Sequence, residues 1–161
     1  MPNSFSPDDL ETWSSLATML EWLPPTLDAQ LQRDSDLTHF EYGILFALAD
    51  APDRTLRMSV LSGYANSSLS RLSRAVSRLE TRGWVKRAPD PSDGRSTLAS
   101  LTADGVARYE QATPGHVDTV HRLVLDSLTQ AQARQLREIS RRITGAIREE
   151  SAWQPAATAP R

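Results

Sequence analysis

The chain has 161 residues, 39% of them hydrophobic, and a formal net charge of −2. That size and apolar content suit one folded domain, or a small domain with helical extensions, and exclude wholesale disorder. The absence of cysteine excludes disulfides, thiolate metal ligands and thiol-based redox sensing within the chain.

The small net charge hides a polarised chain. Residues 1–53 carry ten acidic side chains against Arg33 alone. Residues 54–95 carry nine basic side chains against Glu80, Asp90 and Asp93, and residues 96–161 are nearly balanced, with eight basic and seven acidic. Binding to phosphate needs a local basic patch and not a basic total, so the overall acidity does not exclude a nucleic-acid partner. No apolar run approaches the roughly 18–20 residues of a membrane span. The first residues, Met1-Pro2-Asn3-Ser4, lack the basic and apolar regions of a signal peptide, and the expected location is the cytoplasm.

A first helix is predicted over residues 6–34. Ser6 is placed to N-cap it, Pro7 suits the first turn, and Asp8 and Asp9 favour the positive end of the helix dipole. Leu10, Trp13, Ala17, Leu20, Leu27 and Leu31 form a stripe at 3-4 spacing that calls for a partner helix. Pro24-Pro25 should kink or split this helix, because an interior proline costs on the order of 3 kcal/mol. A second helix begins at Thr38, which has capping-box spacing to Glu41, and shows Phe40, Ile44, Leu45 and Leu48 on one face. Residues 57–64 predict a short third helix with Met58, Val60 and Leu61 as core contacts.

After the turn Ala65-Asn66-Ser67-Ser68, a fourth helix runs to about Arg82, capped by Ser67 or Ser68 and closed by Gly83. Leu69, Leu72, Val76 and Leu79 are its buried face, and Arg71, Arg74 and Arg78 share another. Trp84-Val85-Lys86-Arg87 predicts a strand. Pro89 to Gly94 is dense in turn formers, and Thr97 to Leu101 returns as a second strand with Arg95 near the tip. Thr102 caps a helix to about Ala112, which Thr113-Pro114-Gly115 should interrupt before it resumes through Val117, Val120, Val124 and Leu128. The last helix starts at Thr129, again with capping-box spacing to Gln132, and carries the apolar line Leu136, Ile139, Ile143 and Ile147. The tail, residues 151–161, reads as disordered.

Helix, short helix, turn, arginine-bearing helix and basic hairpin, in that order, make a winged helix-turn-helix. The fold class is mainly α with a small two-stranded β-wing, and with N- and C-terminal dimerisation helices. The expected division is an N-terminal dimerisation region (1–36), a DNA-binding module (37–102), C-terminal dimerisation helices (103–150) and the tail (151–161). The chemistry suits DNA. A major groove admits one helix, arginine pairs two donors with guanine, and a hairpin beside the helix reaches the narrower minor groove. The candidate DNA-binding residues are Ser68, Ser70, Arg71, Ser73, Arg74, Arg78, Lys86, Arg87, Asp93 and Arg95. The candidate dimerisation residues are Leu10, Trp13, Leu136, Ile139, Ile143 and Ile147, whose stripes would otherwise leave exposed apolar patches.

The stretch Leu72-Ser73-Arg74-Ala75-Val76-Ser77-Arg78-Leu79-Glu80-Thr81-Arg82-Gly83-Trp84-Val85-Lys86-Arg87 resembles the recognition helix and first wing strand of the MarR family of transcriptional regulators. Asp93-Gly94-Arg95 and Leu101-Thr102 resemble the family's wing signature, and Leu37-Thr38 with Ile44-Leu45 resembles the start of its second helix. The resemblance covers about residues 8–150 and concentrates between 67 and 105. It implies that Asp93 orients Arg95, which enters the minor groove. It implies a homodimer on a pseudo-palindromic operator, half-sites about one helical turn or roughly 10 base pairs apart. It further implies repression relieved by a small aromatic effector.

A winged module that binds another protein and no DNA is the alternative reading. No phosphate loop, nucleophile elbow or paired-carboxylate motif is present, so no enzyme activity or cofactor is expected. His116 and His121 are five apart, not the i, i+4 pair of a helical zinc site, and His39 is remote, so surface histidines and no metal are expected. Trp13 and Trp22 belong to a core, an interface or a ligand cavity.

Overall fold

The computed structural model describes residues 4–65 and 67–150. The expected tail over 151–161 lies outside them. Six α-helices and three strands follow one another as α1 (Pro7–Ser35), α2 (His39–Asp50), β1 (Thr55–Arg57), α3 (Met58–Tyr64), α4 (Leu69–Thr81), β2 (Val85–Asp90), β3 (Asp93–Leu101), α5 (Ala103–Val120) and α6 (Gln130–Glu150). None of these helices is long and apolar enough to cross a membrane.

Local capping explains most boundaries. The Ser6 hydroxyl accepts the Asp9 N–H at the start of α1. At α2 the capping box is complete: Thr38 Oγ1 accepts the Glu41 N–H, and Glu41 Oε2 accepts the Thr38 N–H, both at 3.0 Å. Ser68, not Ser67, caps α4 through the Arg71 N–H. Gly83 closes α4 with φ at +76°, a left-handed turn that glycine adopts without steric cost. Its N–H reaches the Glu80 carbonyl while Trp84 N–H reaches back to Leu79, the paired bonds of a Schellman ending. Thr129 and Gln132 exchange the same reciprocal bonds as Thr38 and Glu41 at the head of α6.

A split at Pro24-Pro25 and an interruption at Pro114, the stronger forms of the proline expectations, need correcting. Pro24 and Pro25 do not split α1, and Pro114 does not end α5. Each proline removes one N–H and leaves a carbonyl four residues back without its helical donor. Those carbonyls belong to Leu20, Glu21 and Glu110, all exposed, so water is available to satisfy them. Gly115 lies within the helix facing α1, where a Cβ would stand 3.4 Å from Gln30 Nε2, at the near limit of ordinary contact. Beyond α5 the chain passes through one π-helical turn, His121–Leu125, before α6.

The wing is the β2–β3 hairpin, but the sheet has three strands, in the order β1-β3-β2. The additional strand β1 pairs antiparallel with β3, Leu56 opposite Ala99. Three residues are too few to show an alternating pattern, so β1 has no periodic signature in the sequence.

One core joins the elements. Leu31 of α1, Ile44, Leu45 and Leu48 of α2, Leu61 of α3, and Leu72, Val76 and Leu79 of α4 are fully buried, with Val85, Ala99, Leu101 and Ala112 around them. Burying a leucine or valine side chain in this way contributes about 1.5–3 kcal/mol. Two expected core positions are on the surface. Leu69 is 55% exposed and Val60 45%. Leu69 opens α4, where the helix has not yet met the wing, and Val60 lies on the outer side of α3.

Candidate nucleic-acid interface

The core presents α4 with Leu72, Ala75, Val76 and Leu79 inward, and the same 3.6-residue period turns Arg71, Arg74 and Arg78 outward. The wing projects beside it. A cleft of about 250 Å³ separates α3 and α4 from β3, with Ser59, Leu69 and Ser73 on one wall and Arg95 and Thr97 on the other.

The ten candidate residues are spread over α4 and the wing with unequal freedom: Ser73, Arg87 and Arg95 border the cleft beside the wing, whereas Arg71, Arg74 and Arg78 border a second cleft with Phe40 of α2. The side chains of Arg74 and Lys86 are exposed and make no hydrogen bond or ion pair among the described residues. Arg95 is exposed near the wing tip, and only its backbone is held, its N–H donating to Asp93 Oδ1 at 3.2 Å. Asp93 also accepts the Ser96 hydroxyl at 2.8 Å, so it shapes the turn that carries Arg95. Ser68 and Ser70 lie at the exposed head of α4 with their hydroxyls 3.2 Å apart. Arg71 lies over the Phe40 ring at 4.5 Å, a cation–π contact that leans it toward α2. Arg78 donates through Nε to Glu41 Oε1 at 2.8 Å while remaining exposed at its outer end. Glu41 itself is buried, so the residue that caps α2 also anchors the recognition helix.

Arg87 is the most constrained of the set. Its guanidinium pairs with Glu80 at 2.7 Å and donates to Ser77 and Ser73 at 3.0 and 3.4 Å. The Arg87 side chain and N–H hold the Glu80 carboxyl below the usual glutamate range. The pair staples β2 to α4.

A second staple has no motif in the sequence. Asp90, buried at the turn of the wing, accepts the Ser92 hydroxyl and N–H at 2.7 and 2.8 Å and Arg57 Nε at 2.7 Å. These partners, Ser92 first, lower the Asp90 pKa. Arg57 reaches it from β1, across the sheet, 33 residues earlier in the chain.

The candidate dimerisation residues lie apart from this face. Leu10, Trp13, Ile139, Ile143 and Ile147 are exposed and Leu136 is half-buried. Neither Trp13 nor Trp22 belongs to the core; Trp22 is 74% exposed. It borders an apolar cleft of about 480 Å³ with Met19, Leu23, Leu123, Val124 and Leu136. The expectation of surface histidines holds for His121 alone. His39 and His116 are half-buried and face each other at 5.7 Å, because α5 crosses over the start of α2.

A solved structure shares this fold. Sco3205 from Streptomyces coelicolor, a MarR family transcriptional regulator solved in complex with DNA, is 42% identical, and the match covers 91% of each chain with a TM-score of 0.87. The chain belongs to the MarR family. A family model described as MarR family matches residues 35–96, the segment from the end of α1 to the wing. AbsC, a MarR family transcriptional regulator from the same organism, is 28% identical at a TM-score of 0.87, over 92% of this chain and 99% of its own. Among curated proteins, the multiple antibiotic resistance protein MarR of Salmonella typhimurium is 33% identical over 75 residues, 47% of this chain. There the chain spans about half the length of the curated relatives it matches, 52% in that case.

Proposed function

We propose that this chain is a sequence-specific DNA-binding transcriptional regulator that acts as a homodimer in the cytoplasm and catalyses no reaction. The observation that carries the reading is that Arg74 on α4 and Lys86 and Arg95 on the wing stand exposed, their side chains without hydrogen-bond or ion-pair partners among the described residues, while Arg87, Arg57 and Glu41 hold the scaffold. An arginine on α4 suits a base edge in the major groove, and Arg95 suits the minor groove beside it. Ser68, Ser70, Arg71, Ser73 and Arg78 flank the helix for further phosphate or base contacts. Sco3205, to which this chain is similar, was solved in complex with DNA, which supports the DNA-binding reading.

In this reading residues 1–36 and 103–150 dimerise, and 37–102 read DNA. The exposed apolar residues of α1 and α6 support a dimer with two copies of the reading face. The MarR family likeness supports repression relieved by a small aromatic ligand. Selection of bound sequences from a random DNA pool tests the proposal. The expected product is a pseudo-palindrome with half-sites about one helical turn apart. Recovery of no enriched sequence, with a tight protein partner instead, would establish the winged module as a protein-interaction domain.

A further inference from the structure

Trp84 stands at the base of the wing and carries an arginine on each of two neighbouring elements. Arg82, at the C-terminal end of α4, lies 5.0 Å from its ring centre, and Arg108 of α5 lies 5.1 Å away. Both guanidinium groups then reach the same place, the last turn of α1. Arg82 donates to the Asp36 carbonyl and pairs with the Asp36 carboxylate at 3.0 Å. Arg108 donates to the carbonyl of Ser35, which is buried. Helix carbonyls at a C-terminus lack internal donors and form the negative end of the dipole, so two cations there are favourable.

The Trp84 backbone between them is held firmly. Trp84 N–H closes the end of α4, and its carbonyl accepts the Thr102 N–H at 3.0 Å. Gly105 lies directly against that carbonyl, where any Cβ would overlap it at 2.0 Å. The end of α1 is also where the chain turns sharply: Asp36 has φ at +48°, a left-handed conformation, and only a few residues separate α1 from α2. The two arginines therefore bridge the joint between the long N-terminal helix and the body that carries α4 and the wing.

We propose that the Arg82–Trp84–Arg108 clamp on the end of α1 is a positioning device for DNA recognition. It sets the angle at which the recognition helix projects from the dimerisation helices, and so the half-site spacing that the dimer accepts. This rests on the reading of the chain as a dimeric DNA-binding regulator. The arginines touch no DNA in this role; they act through the orientation of α4.

The test uses the full-length chain and a panel of palindromic duplexes. Each duplex carries the selected half-site, with the centre-to-centre separation varied one base pair at a time. Arg82→Met removes the guanidinium and keeps the apolar stem. The Asp36 carboxylate it leaves is exposed, so no buried charge is stranded. Arg108→Met removes the second arm, and a circular dichroism melt of each variant confirms folding. Wild type should prefer one spacing. In either variant the ratio of affinities between the best spacing and its neighbours should narrow by about tenfold, within the usual range of coupling between sites. The selected half-site sequence should stay the same. Equal weakening at every spacing, or an unchanged ratio, overturns the clamp, since a merely stabilising arginine lowers all affinities together. If wild type binds none of the duplexes, the DNA-binding reading falls and the clamp with it.

Discussion

Arg87 and Arg95 carry the same charge in the same wing, and their surroundings separate their roles. Arg87 is engaged by Glu80, Ser77 and Ser73, whereas the Arg95 guanidinium has no protein partner among the described residues. Arg87→Ala should cost on the order of 1 kcal/mol of stability, since the pair is partly exposed, and lower the thermal midpoint. Arg95→Ala should leave that midpoint unchanged and reduce the slope of log affinity against log salt by about 1. Thermal unfolding beside binding at several salt concentrations distinguishes them; an equal fall in melting temperature for both would contradict the assignment. The arginines of α4 were legible in the sequence because side chains three and four apart share a helix face. Their partners were not. Glu41 lies 37 residues from Arg78, and Asp90 lies 33 from Arg57.

At the scale of elements, caps were legible and proline breaks were misjudged. Thr38 with Glu41, Gly83 and Thr129 with Gln132 act within a few residues of themselves, so the sequence alone shows them, whereas it left Ser67 and Ser68 as alternatives that the structure resolved to Ser68. Whether a proline breaks a helix depends on what surrounds the orphaned carbonyl, and here the residues that carry it are exposed. The α2–α5 crossing adds a pH dependence absent from any motif. Burial lowers the pKa of both His116 and His39 below the ordinary 6.5. His39 also depresses His116, while the charge of Asp28, whose carboxylate accepts the His39 backbone N–H, partly restores His39. The unfolded chain then takes up protons near pH 6.5 that the folded chain resists. Stability is full above that pH and declines as pH falls toward the depressed folded values. His116→Phe, which keeps the ring beside Tyr42, should flatten the loss of melting temperature between pH 7.5 and 5. An undiminished loss in that variant would place the effect elsewhere.

The described residues include two exposed sets, one basic on α4 and the wing and one apolar on α1 and α6. The apolar one includes Trp22, Ile139 and Ile143, and its residues bury little within a single chain. Ile143→Glu should weaken a dimer by about 2 kcal/mol or more if this position is central to the interface. Sedimentation velocity should show a shift toward monomer, and affinity for a two-half-site duplex should fall with it. A variant that sediments as wild type would remove α6 from the interface. By itself the sequence determined the succession of helices and wing and the basic α4 face, because caps, turns and 3.6-residue periods are local. The tertiary structure decided which arginines are left available, that β1 joins the sheet, and that α1 is clamped at its end. Those outcomes depend on groups brought together from distant parts of the chain, and no local pattern encodes them.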